Sequence, residues 1–118
     1  MSKPIKKSSE IKIRVGLDEN NVPVQMDWLA EDGQNNKWQK AEAMLLSLFD
    51  PQTLDTLKID LWTTQMQVGQ MDRMMYQTLR GLAETYFRAT QNRELASEMQ
   101  QFVQYFGEKT EVLPKGNE

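Results

Sequence analysis

Apolar and polar residues alternate without a break over residues 11–17, with Ile11, Ile13, Val15 and Leu17 set against Lys12, Arg14 and Gly16. That period of two predicts a β-strand with one apolar face. Asp18-Glu19-Asn20-Asn21 follows, residues that tolerate the backbone angles of a turn. The alternation then resumes, with Val22, Val24, Met26 and Trp28 against Pro23, Gln25 and Asp27. Two such runs around a short polar loop predict a β-hairpin. Closing it with Leu17 opposite Val22 puts Val15 by Val24, Ile13 by Met26, and Lys12 opposite Asp27, an attractive cross-strand pair. Pro23 has no N–H to give a ladder, so it is expected at an edge or a non-bonded position.

Residues 30–40 form a polar connection, and the pattern after it admits two readings. Trp38, Ala41, Leu45 and Leu48 fit helical spacing. The run, however, stops at Asp50-Pro51, and Leu57, Ile59 and Leu61 then alternate with Lys58, Asp60 and Trp62. A second hairpin is therefore the favoured expectation, with strands near 41–49 and 57–63. From Val68 the period changes to that of a helix. Val68, Met71, Met75, Leu79, Leu82, Ala83 and Tyr86 recur at three- and four-residue spacing, leaving a narrow polar arc of Arg73, Gln77, Arg80, Glu84 and Arg88. Thr90-Gln91-Asn92 breaks this helix, with Asn92 as N-cap of the next. The second helix is expected to carry Leu95, Met99, Phe102, Val103 and Phe106 on its apolar face.

The order ββββαα predicts an α+β fold: a four-stranded antiparallel sheet made of two hairpins, followed by two C-terminal helices packed on one face. Residues 1–9 are expected to be a disordered tail, 10–113 a single domain and 114–118 a frayed tail. A length of 118 residues suits one domain.

Composition narrows the chemistry. The chain has no histidine and no cysteine. This excludes Ser–His and Cys–His nucleophilic catalysis and leaves carboxylates alone to hold a metal. No cofactor, metal or catalytic residue is expected, and the chain is expected not to be an enzyme. Lys and Arg form no stripe beyond the first seven residues and the formal net charge is −3, which argues against nucleic acid as a partner. No secretory leader, lipid-anchoring cysteine or membrane span is apparent, so the expected address is the cytoplasm.

Three groups of residues remain as candidates. Asp18 and Glu19, Glu31 and Asp32, and Asp50 and Asp55 are acids in loops; a carboxylate pair across a cleft would be needed for catalysis, whereas turns favour Asp for their own hydrogen bonds. Met66, Met71, Met74 and Met75 cluster at the start of the first helix. Met71 and Met75 lie on the central apolar arc, and Met74 at its margin is the better candidate for an exposed contact. In the second hairpin, pairing Phe49 with Leu57 would place Met44, Leu46, Leu48 and Trp62 together, beside Lys58 and Asp60, on the face away from the helices. Such a patch would be an interaction surface, self-association being its simplest form. Cover by loop 30–40 or by Trp38 would remove it, and a one-residue slip in register would exchange the faces.

The segments Glu10-Ile11-Lys12-Ile13-Arg14-Val15-Gly16-Leu17-Asp18-Glu19-Asn20, Val22-Pro23-Val24-Gln25-Met26-Asp27-Trp28, Ile59-Asp60-Leu61-Trp62-Thr63, Gln77-Thr78-Leu79 and Phe102-Val103-Gln104-Tyr105-Phe106 stand in this order along the chain. Together they resemble the gliding motility protein GldC family. The resemblance spans roughly 10–113, and its specificity lies in the combination rather than in any one string. Two places depart from it: Gln67 stands where the family tends to have a Thr or Ser helix cap, and the linker around 33–40 is individual. The resemblance implies a non-enzymatic accessory protein of surface gliding in Bacteroidota, a process tied to type IX secretion, with protein partners in the gliding machinery and no catalytic residues to carry over. A homo-oligomer is expected. The competing expectation is a chaperone-like or small-ligand binding module using a groove between sheet and helices.

Overall fold

A computed structural model describes residues 3–33 and 36–114. The parts of the expected tails at residues 1–2 and 115–118 lie outside the described residues. The chain divides into two compact units, residues 1–66 and 67–118, each with its own internal packing.

The first unit is all strand. β1 (Ile11–Leu17) pairs antiparallel with β2 (Pro23–Ala30), and β2 pairs antiparallel with β3 (Gln39–Ala41) in a three-stranded sheet of order β1-β2-β3. β4 (Ala43–Phe49) and β5 (Thr56–Trp62) form a separate two-stranded antiparallel sheet. The expected single four-stranded sheet is therefore corrected to three strands plus two. Within residues 38–49 the chain is strand rather than helix from Gln39 on, but the run is broken at Glu42: Gln39–Ala41 pairs with β2, and Ala43–Phe49 leaves to pair with β5. The corner is fastened by Thr63. Its N–H donates to the Glu42 carbonyl at 2.9 Å and its hydroxyl donates to Glu42 Oε1 at 2.7 Å. Thr63 is 1% exposed, and the neighbouring Thr64 N–H reaches the Pro23 carbonyl at 3.2 Å. These bonds tie the end of β5 both to the corner and to the start of β2.

The first hairpin closes differently from expectation. Asp18 N–H bonds the Val22 carbonyl at 3.0 Å, Asn21 takes a left-handed φ of 62°, and the ladder shifts between Gly16 and Leu17. Val15 consequently faces Met26 and Ile13 faces Trp28, two residues away from the expected pairing. A slip of two preserves the faces. It changes the charge pairing, so that Arg14, not Lys12, lies opposite Asp27. Met26, central on the apolar face, is 1% exposed.

The second unit is a helical hairpin, α1 (Val68–Thr90) and α2 (Arg93–Lys109). Gln67 precedes α1, and its N–H donates to Gln70 Oε1 at 2.9 Å, so Gln70 supplies the reciprocal capping contact. Gln91, left-handed at φ 61°, ends α1 with its N–H on the Phe87 carbonyl at 2.8 Å. Asn92 Oδ1 accepts from Leu95 N–H at 3.1 Å, the cap expected from sequence. The helices meet through small residues. Tyr76 and Ala83 of α1 are buried, as are Ala96, Val103 and Gly107 of α2. A side chain at Gly107 would sit 2.7 Å from both Tyr76 Cε1 and Leu113 Cδ1, so only glycine permits this approach. No helix among the described residues is long and apolar enough to cross a membrane.

Candidate functional site

The second hairpin leaves a contiguous row of apolar side chains exposed on one face. Phe49 pairs with Thr56, not with Leu57, and this one-residue difference exchanges the faces of one strand relative to the other. Leu48 lies opposite Leu57, Leu46 opposite Ile59, and Met44 opposite Leu61. One face is thus wholly aliphatic: Met44, Leu46, Leu48, Leu57, Ile59 and Leu61. Towards the turn it is open, Leu48 being 53% exposed, Leu57 59% and Ile59 40%. Met44, Leu46 and Leu61 are half-buried.

Trp62 parts from the residues it was expected to join. It pairs with Ala43 on the opposite face, together with Leu45, Ser47, Phe49, Lys58 and Asp60, and is 54% exposed. Lys58 Nζ bonds Asp60 Oδ2 along that face. The structure therefore brings together Met44, Leu46 and Leu48 of the expected set, and joins to them Leu57, Ile59 and Leu61 in place of Trp62. Met74 lies on α1, in the other unit, and is half-buried. Trp38 does not cover the second hairpin. It stacks beneath the Arg14 guanidinium on the polar side of the first sheet, 4.1 Å from carbon to ring centre.

The first sheet presents a smaller opening. Ile11, Ile13, Met26, Trp28, Ala41, Ala43 and Met44 line an apolar cleft of about 220 Å³. It lies on the apolar face beside the corner, where β3 gives way to β4.

Two of the loop acids, Asp18 and Asp50, serve their turns. Asp18 Oδ1 accepts from the N–H groups of Asn20 and Val22 at 2.8 and 3.0 Å. Asp50 Oδ1 does the same for Gln52 and Thr53 at 2.7 and 3.1 Å. The Thr53 and then the Gln52 amide hold the Asp50 carboxyl below its ordinary value of 3.8.

On α2, Val103 of the expected face is buried and Met99 and Phe106 are half-buried, whereas Leu95 and Phe102 are exposed. Tyr105 is exposed beside Phe102, their ring centres 6.1 Å apart. The stripe Ala96, Val103 and Gly107, spaced seven and four residues apart, was the signal for the true seam.

Among known proteins, the model of the family described as gliding motility-associated protein GldC-like matches residues 23–112, well over half of the chain and everything from β2 onward. β1 precedes the matched stretch. No curated protein and no solved structure matches the chain.

Proposed function

Because the chain belongs to the family of gliding motility-associated GldC-like proteins, we propose that it is a non-enzymatic, cytoplasmic accessory of bacterial gliding that works through protein–protein contacts. The contact surface is the aliphatic face of the β4–β5 hairpin. The observation that carries this reading is the row of Leu48, Leu57 and Ile59, three adjoining aliphatic side chains each at least 40% exposed. A two-stranded ribbon is marginally stable alone, and contiguous apolar surface of this kind marks interaction sites in soluble proteins. A protein of the gliding machinery is the partner the family membership favours.

Small-ligand binding has less support. The cleft on the first sheet, at about 220 Å³, falls below the roughly 300–1,000 Å³ of sites that enclose metabolites or drugs. It has room for one inserted side chain.

The test replaces Leu48, Leu57 and Ile59 together by serine in a gliding cell. The triple variant is expected to accumulate and fold as the parent does while colony spreading is lost. Normal spreading by the folded variant would refute the reading.

A further inference from the structure

The outer edge of β5 matches itself. Thr63 bonds Glu42 and Asp55 bonds Asp50 across the β4–β5 ladder. In an antiparallel ladder the residues that bond the partner strand alternate with those that point away. Leu57, Ile59 and Leu61 therefore direct their backbone groups to β4, while Thr56, Lys58, Asp60 and Trp62 direct theirs outward. No strand among the described residues pairs with that edge.

We propose that two copies of this chain join through β5, antiparallel, about a two-fold axis at Ile59, giving a continuous sheet of order β4-β5-β5-β4. In this register Lys58 faces Asp60 of the second copy, and Asp60 faces its Lys58. Thr56 faces Trp62 in the same reciprocal way. These are the residues whose N–H and C=O groups are free, so each such pair exchanges both backbone hydrogen bonds. Ile59 meets Ile59, and Leu57 meets Leu61, on the aliphatic face. Attraction between opposite charges fixes the alignment. Moving the axis to Lys58 or to Asp60 sets like charges directly against each other, and an odd slip opposes outward groups to inward ones. The outer edge of β1 lacks the match: centring it on Ile13 would set Lys12 against Arg14. Pairing through β5 also joins the two aliphatic faces edge to edge, doubling the surface proposed to meet the gliding partner. It rests on that reading only for its purpose, because the pairing itself needs no partner.

Charge exchange tests it. Light scattering of the full chain at up to about 100 μM should give a dimer. Lys58→Asp and Asp60→Lys, each alone, oppose like charges at both equivalent pairs and should weaken dimerisation at least about tenfold. Mixing the two variants restores opposite charges and should restore the dimer. Circular dichroism of each variant separates loss of pairing from loss of fold. A monomeric parent, variants that dimerise like the parent, or a mixture of folded variants that stays monomeric would each overturn the proposal. A monomeric parent would leave the gliding reading standing, whereas a dimer together with normal spreading by the serine variant would sink that reading and keep this one.

Discussion

The two hairpins of the strand unit share one sequence grammar and end in different circumstances. In the first, β3 extends the sheet on one side and Met26 is sealed at 1% exposure. Its polar face carries Arg14 opposite Asp27, with Trp38 stacked on Arg14. The second stops at two strands, and its aliphatic face is open where it nears the turn. In the first hairpin Val15, Met26 and Trp28 therefore support the fold while Ile11, Ile13 and Leu17 stay exposed, and in the second Leu48, Leu57 and Ile59 form the exposed row proposed for contacts. Alternation alone does not separate these uses; what separates them is which strands the chain supplies alongside.

The sharpest break between the hairpins is expected in stability. Met26→Ala should cost about 3 kcal/mol in urea unfolding, the range for emptying a buried site of this size. Leu57→Ala, at a position already more than half exposed, should cost below about 1 kcal/mol. Equal losses would mean that the second hairpin is as much core as the first.

Next in size is the joint between them. Thr63→Val deletes the hydroxyl that donates to Glu42 Oε1 and should cost about 1–2 kcal/mol, the range for leaving a part-buried acceptor unpaired. Amide exchange should show the loss concentrated at the β3–β4 corner and the end of β5. A uniform loss across β1 and β2 would show that the corner does not divide the sheets.

The smallest effect concerns the turn of the second hairpin. Asp50 has a folded-state pKa lowered by the Thr53 and Gln52 amides. A depressed carboxylate supports the fold fully above its unfolded value and loses that support as the pH falls through the folded value. Asp50→Ala should therefore flatten the fall in stability on acidification below pH 3.8, without altering the pH dependence near neutrality. An unchanged acid limb would remove Asp50 from the account of that turn.

Much of this was legible in the residues. The apolar face of the first hairpin survived an error in its loop, because a slip of two leaves period-2 faces in place. The second hairpin tolerated no such error. A slip of one moved Trp62 away from Met44, Leu46 and Leu48, and the preference of Asp50 and Asp55 for the ends of a six-residue loop gave no local cue to choose Thr56 over Leu57 as the partner of Phe49. β3 was hidden because Gln39 and Lys40 are polar, and a three-residue strand is too short to show a period. In α2 the large side chains drew attention to the face of Leu95 and Phe102, although close helix packing selects small residues. Gly107 against Tyr76 decides which face turns inward.

The second hairpin is proposed to meet other protein in the working cell through Leu48, Leu57 and Ile59. Photocrosslinking in gliding cells tests it most directly, with a photoreactive residue placed at Leu57 in one strain and at Lys12 in another. Discrete protein adducts are expected from position 57 and little or none from position 12. Adducts from position 12 alone, or none from position 57 in cells that still glide, would contradict it.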